Sequence, residues 1–362
     1  MKRVVKRIVI GLVCVFLALL LVVVGYLAYV LLSYSRIEDN LSLQVNASAQ
    51  AQSEAKKGKT YTVFTQNLGF GAYTADFTFF MDGGKESRAR SKESVLSCIR
   101  AGAEKAKEYS PDFIFFQEVD TDSTRSFHTD QREMLVGEFS AYANAFAVNY
   151  HSAYLMYPIF QPHGASNSGM LTLSSVNMTS SIRRSLPIST GFSKFLDLDR
   201  CYCVSRVPVQ DGKELVLYNV HTSAYGGSDR IRHDQMTMLF SDMKAEYDKG
   251  NYCICGGDFN HDFTGDSATV LNGMTAEEQT FGWAQPFPAD LLPEGISRVT
   301  DYACGEQRPT CRDCDVPYRE GNKVFIVDGF LVSDNVSVSY VENIQTGFAY
   351  SDHNPVVMQF SL

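Results

Sequence analysis

The stretch YCICGGDFN, Tyr252 to Asn260, runs from apolar residues through paired glycines into Asp258 and Asn260. An apolar run without polar alternation reads as a strand buried on both faces. VFIV, within Lys323–Val332, reads the same way. Working outward, further β-rich runs occur at Tyr61–Gln66, Phe113–Gln117, Ala143–Asn149, Met170–Ser174, Cys201–Val209, Glu214–Val220 and Pro355–Phe360. Their Val, Ile, Phe and Tyr content suits strands, and polar or glycine-containing turns close them. Helical spacing appears between them, in Ser87–Tyr109 through Val95, Leu96, Ile99 and Ala103. It recurs in Arg230–Asp248 through Ile231, Met238 and Leu239, with Gly250 as a stop signal. Helices that cover strands buried on both faces imply an α/β fold layered α/β/β/α.

The polar residues at the C-terminal ends of these strands carry the chemistry. TVFTQN ends in Asn67, DFIFFQE in Glu118 and LVLYNVH in His221; VFIVDGF carries Asp328, and YSDHNP presents Asp352 and His353. Strand-end Asp and Asn are ordinary turn residues, so no one of them alone is evidence of a site. Gathered at one edge of a sandwich, they would supply carboxylates for a hard cation, amides to orient phosphate and imidazoles for proton transfer.

The blocks QNLGF, FFQEVD, NVHTSA, GGDFNHD, FIVDGFLVS and YSDHNPV, in that order across Thr60–Leu362, resemble the signature blocks of the endonuclease/exonuclease/phosphatase superfamily. GGDFN and SDHNPV are the specific ones. The resemblance implies a four-layered α/β sandwich and Mg²⁺- or Mn²⁺-dependent hydrolysis of a phosphoric ester. It implies that Glu118 binds the metal and that Asn67 and Asp352 complete the metal site. Asp258 and Asn260 would position water and phosphate, His353 would touch the phosphoryl group, and Asp328 would orient His353. His221 matches a second histidine of the deoxyribonuclease-I-like and sphingomyelinase-like branch. In SNSGMLTLSS, Asn167 and Ser168 match phosphate-contacting positions.

The physical logic agrees with those roles. A phosphodiester anion repels an incoming hydroxide, so a metal and charged imidazoles must neutralise it. Asp258 is the candidate base and His221 one candidate donor to the leaving oxygen. Asp328 beside His353 would favour the charged imidazole.

The N-terminus adds a location. Lys2, Arg3, Lys6 and Arg7 precede an uncharged apolar run, Ile8–Leu32. As a helix this run would span about 37 Å, enough to cross a membrane. Residues 1–7 then read as a cytoplasmic basic segment, 8–32 as a transmembrane helix, 33–59 as a polar linker and 60–362 as the catalytic domain. The positive cluster puts the N-terminus inside a cell membrane and the domain outside. Outside the cytoplasm, a disulfide is the expected use of the eight cysteines beyond Cys14, with free thiols in a reducing niche as the alternative; Cys304, Cys311 and Cys314 cluster in one loop.

Composition narrows the partners. The chain has 32 basic and 41 acidic residues, and without the N-terminal four the count is 28 against 41. Such a domain gains little non-specific attraction to a phosphate backbone. Asp258-x-Asn260-x-Asp262 opens like a calcium loop but has Phe263 and Thr269 where Gly and Glu are required. No GxSxG, Walker A or GxGxxG pattern occurs. Asp120 stands where a DNA-contacting Arg is expected in nucleases, and no isolated apolar hairpin for lipid insertion is visible. The expected substrate is therefore a phosphodiester of nucleic acid or of a phospholipid headgroup. The alternatives are a phosphomonoester of a small metabolite and a non-catalytic binding module. Beyond substrate and membrane, no protein partner is implied.

Overall fold

Within Tyr252–Asp258 the side chains alternate between two cores, Tyr252 and Ile254 facing one and Cys253 and Cys255 the other. Phe113 and Phe115 likewise oppose Ile114 and Phe116. This period of two explains why such strands are apolar throughout. The computed structural model describes residues 2–191, 194, 198–224, 229–275 and 283–362.

The first half comprises α1 (Lys2–Ser33), β1 (Leu41–Ser42), β2 (Val45–Asn46), β3 (Tyr61–Asn67), α2 (Lys92–Glu108), β4 (Phe113–Asp120), α3 (Gln131–Glu138), β5 (Ala143–Leu155), β6 (Gly164–Ser174) and β7 (Ser180–Ser185). The second half comprises β8 (Cys201–Pro208), β9 (Glu214–His221), α4 (Asp229–Asp248), β10 (Tyr252–Asp258), β11 (His261–Asp262), α5 (Ser267–Val270), β12 (Gln285–Pro286), β13 (Ile296–Val299), β14 (Cys311–Arg312), β15 (Val324–Phe325), β16 (Asp328–Ser333), β17 (Ser337–Asn343) and β18 (Val356–Ser361). Two seven-stranded sheets form, ordered β1-β7-β8-β9-β10-β16-β13 and β17-β18-β3-β4-β6-β5-β2.

Among the described residues, three large apolar cores hold the layers together. The central one joins the inner faces through Val63, Phe115, Leu217, Ile254, Phe330 and Met358. On the outside, Val95, Ile99, Ala103 and Leu135 of α2 and α3 cover Phe64, Phe116 and Leu171. Met236, Leu239 and Met243 of α4 cover Val216, Cys253 and Leu331. The order is α/β/β/α, as expected. A Cβ on Gly256 would lie 2.5 Å from the ring of Phe330 on the neighbouring strand of its own sheet and 3.1 Å from Phe115 on the facing sheet, so glycine makes room for both rings just below Asp258.

Four expectations change, the last of them at the tip between β5 and β6. Residues 33–59 do not hang free, because β1 pairs with β7 and β2 with β5, one short strand on each sheet. Ala55 is fully buried in the central core. Their polar composition suits edge strands lying on the surface. All nine cysteines are free thiols, and Cys253 and Cys255 serve as core side chains. The expected strand Lys323–Val332 breaks into β15 and β16, which pair with different neighbours.

Helix α1 is exposed along its length except at Val30, which is buried, and Tyr26, which is half-buried, and it meets the length and apolarity of a membrane span. The apolar hairpin thought absent is present. The tip between β5 and β6 exposes Met156, Tyr157, Ile159 and Phe160.

Candidate active site

Sheet register assembles the centre. Parallel pairing of β10 with β9 sets Asp258 opposite His221, and antiparallel pairing with β16 sets Asp258 opposite Asp328. Asp258 Oδ2 accepts a hydrogen bond from Asn67 Nδ2 at 3.0 Å and lies 3.4 Å from His221 Nε2. His353 Nε2 is 3.8 Å from the same oxygen. The other oxygen, Oδ1, accepts from the Asn260 backbone N–H at 2.9 Å. His353 Nδ1 bonds Asp328 Oδ2 at 2.8 Å.

Glu118 reaches this centre through a backbone irregularity. The pairing of β4 with β6 slips between Phe116 and Val119, and Glu118 has φ of 52°. A bulge with a non-glycine residue in the left-handed region re-aims the side chain. Glu118 Oε1 lies 3.4 Å from Asn67 Nδ2 and 4.0 Å from His221 Nε2. Asn260, with φ of 47°, donates through Nδ2 to Thr222 O at 2.9 Å, which fixes its amide plane.

The two imidazoles are in opposite charge states. Burial works against charging His353, yet Asp328, Cys311 and Asp258 hold its pKa well above the ordinary value. Burial, joined by Arg200, His353 and Arg125, holds His221 well below it. Asn149 Nδ2 lies 3.4 Å from His221 Nδ1, which assigns the hydrogen of the neutral ring to Nε2, facing Asp258. Burial also raises Asp352 and Asp328, and pushes Asp258 up to about 6.

These groups meet in a cleft of about 140 Å³ lined by Glu118, His221, Asp258, Asn260, Asp352 and His353. Asn67 and Asp328 stand behind that lining. Asn167 and Ser168 lie on β6 outside it, Asn167 opposite His151 and Ser168 opposite Tyr150. The facing wall holds Phe70, Tyr73, Phe79, Tyr150, Arg125 and Arg200. Sequence reasoning missed that wall. Asp120, fully buried, grips Arg125 through two hydrogen bonds of 2.8 and 3.0 Å. The Arg125 guanidinium stacks 4.0 Å from the centre of the Phe70 ring. Asn149 was missed too, although it ends an expected strand as Asn67 does.

The donor set fits a hard divalent cation. Carboxylates Glu118, Asp258, Asp328 and Asp352 outnumber the single charged imidazole, and Asp328 Oδ1 is buried without a hydrogen-bond partner. Oxygens of Asp258 and Asp328 lie within 4.8 Å of each other and of His353, whose protonated ring offers no lone pair, so the donors are oxygens. Oxygen-rich sites of this kind suit Mg²⁺ or Mn²⁺.

The model of the Endonuclease/Exonuclease/phosphatase family matches residues 65–353. No curated protein matches the sequence. Among solved structures, an endonuclease/exonuclease/phosphatase from Beutenbergia cavernae aligns with TM-score 0.53 and 16% identity over 84% of this chain and 72% of that one. TDP2 from D. rerio, complexed with a single-strand DNA product, aligns with TM-score 0.52 and 15% identity over 84% of this chain and all (100%) of that one. ANGEL2, a 2',3'-cyclic phosphatase, aligns with TM-score 0.53 and 13% identity over 88% and 98%. At such identities the likeness is one of fold.

Proposed function

The chain belongs to the endonuclease/exonuclease/phosphatase family, and on that footing we propose that it is a membrane-anchored, divalent-metal-dependent phosphodiesterase. Residues 60–362 carry the activity, and α1 anchors them to the outer face of a cell membrane. The carrying observation is the position of Asp258, in register between His221 and Asp328, with His353 bonded to the latter.

Glu118, Asn67 and Asp352 would hold Mg²⁺ or Mn²⁺, which when bound neutralises phosphoryl charge and polarises the P–O bond. Asp258 accepts a proton from the attacking water, a role suited to a carboxylate raised to about 6. His353, kept charged by Asp328, offers Nε2–H to a phosphoryl oxygen as negative charge builds there. His221, neutral at rest with Nε2 3.4 Å from Asp258 Oδ2, is the candidate donor to the leaving oxygen, the proton it gives being replaced by the one Asp258 takes from the water. Asn260 closes the cleft beside Asp258 and orients the phosphate.

A diester suits this electrostatic balance better than a monoester. Against four carboxylates stand one imidazolium and the Arg125 and Arg200 guanidiniums, Arg125 being already paired with Asp120. A diester with one negative charge is therefore taken up more readily than a dianion. The substrate is then a phosphodiester of nucleic acid or of a phospholipid headgroup. The full chain in detergent, supplied with Mn²⁺, is expected to hydrolyse bis-p-nitrophenyl phosphate faster than p-nitrophenyl phosphate. The reverse ranking would point to a phosphomonoesterase; turnover of neither would leave a binding module.

A further inference from the structure

The tip joining β5 to β6 is an apolar projection on the domain surface. Ile159 is 77% exposed and Phe160 100%, with Met156 and Tyr157 beside them also more than half exposed. A cluster of large apolar side chains at a loop tip marks an interaction surface. Its neighbour in space is the end of α1. Tyr26 Oη donates to Tyr154 O at 3.2 Å and accepts from Met156 N at 3.1 Å; Tyr29 Oη accepts from Tyr154 N at 3.0 Å.

The level of that contact follows from helix geometry. Counting from Ile8, about 20 residues cross an apolar core of about 30 Å, which places Tyr26 and Tyr29 at the exit. Tyrosines favour that boundary. The tip bonded to them lies at the same depth. The domain cannot drift from this position, because α1 ends at Ser33 and Arg36 is already held by Asp199 at 3.1 Å. Asp199 also accepts from Ile37 N at 2.7 Å. Three residues allow at most about 10 Å of separation.

The tip is continuous with the cleft. The Tyr157 ring lies 5.8 Å from Phe80, whose neighbour Phe79 lines the cleft with Met81 and His163. Met81 is itself 54% exposed. On the other side, Leu198 lines both the cleft and a crevice walled by Val30, Ser33 and Tyr34 at the end of α1.

We infer that Tyr154–Phe160 is a membrane wedge, seated in the outer leaflet beside α1, which turns the mouth of the cleft toward lipid headgroups and makes a phospholipid phosphodiester the substrate class. This rests on the reading of α1 as an anchor. The occupant is lipid because the wedge abuts a helix that is itself apolar and uncovered. Charge supplies no alternative attraction, since 28 basic residues face 41 acidic ones beyond residue 7. Insertion of apolar side chains therefore does not require an anionic surface.

The test uses the full chain reconstituted in phosphatidylcholine vesicles. Phe160→Trp adds one indole to the native Trp283, so the unaltered chain is the control. The added emission is expected to be quenched by lipids brominated on the acyl chain and spared by aqueous iodide. Ile159→Asp with Phe160→Asp is expected to slow hydrolysis of vesicle phosphatidylcholine by about tenfold or more while leaving bis-p-nitrophenyl phosphate turnover unchanged. Quenching by iodide instead, or shielding from both quenchers as a protein partner or second copy would give, overturns the wedge. Unchanged lipid turnover in the double variant does so too. Extraction of the chain by alkaline carbonate would remove the anchor and the wedge together, whereas a retained chain with an iodide-quenched indole removes the wedge alone.

Discussion

His353 Nδ1 is bonded to Asp328 Oδ2 at 2.8 Å, and this pair keeps one imidazole of the cleft charged while His221 stays neutral. Asp328→Asn preserves the shape and removes the charge that favours the imidazolium. Steady-state kinetics on bis-p-nitrophenyl phosphate should show kcat lower by on the order of 10²–10⁴, with KM within a few-fold. An equal rise in KM with kcat intact would assign Asp328 to ground-state binding instead.

Glu118 owes its aim to the left-handed backbone at the β4 bulge, and it faces Asn67 across 3.4 Å. Glu118→Gln keeps the volume and loses a charged oxygen donor. The Mn²⁺ concentration giving half-maximal turnover should rise by at least about tenfold. A variant with an unaltered Mn²⁺ titration would take Glu118 out of the metal site.

Beneath the cleft, a polar bridge crosses the apolar gap between the sheets. Gln117 Nε2 donates to Asn219 Oδ1 at 2.8 Å, and Asn219 Nδ2 lies 3.2 Å from Leu171 O. Both side chains are fully buried. Asn219→Leu strands these partners without water, at a cost of about 2–4 kcal/mol. Thermal unfolding should shift down by roughly 5–10 °C. A Tm within a degree or so (about 1 °C) of the unaltered protein would show that the bridge is dispensable.

Acid should weaken the fold in two stages. Burial first, then Arg125, lowers His163 from 6.5 to about 4. The unfolded chain therefore takes up this proton at a higher pH than the folded one, and stability declines as pH falls from about 6.5 to 4, by about 3 kcal/mol in all. Asp199 is lowered too, to about 2: burial works against its charge, but its hydrogen bonds and arginine partners outweigh it. Its stabilisation is complete above about 4 and is lost as pH falls toward 2. Denaturant midpoints between pH 7 and 4 should fall less steeply for His163→Gln than for the unaltered chain. Equal slopes would contradict the assignment.

Much of this was legible in the sequence because buried strands announce themselves by composition. YCIC and FIFF lie where both outer and central cores press on the sheet, so every position is apolar. The polar residues that follow such runs, among them Glu118, His221 and Asp258, then fall together at one edge. What stayed hidden depends on pairing across distance. The edge strands β1 and β2 have only two residues each and carry no periodicity. Arg125 reads as a surface cation until Asp120 is seen to bury it. The run YLMYPIF, Tyr154 to Phe160, has the composition of a core strand, and only its position at a tip beside α1 reveals it as exposed.

The central claim is that Asn67, Glu118, Asp258, Asp328, Asp352 and His353 act as one divalent-cation phosphodiesterase centre. The most direct measurement is Mn²⁺-dependent hydrolysis of bis-p-nitrophenyl phosphate by the full chain and by Asp258→Ala, before and after chelation. The account predicts turnover that chelation abolishes and added Mn²⁺ restores, and that falls by at least about 10³-fold in the variant. Turnover indifferent to chelation, or undiminished in Asp258→Ala, would contradict it.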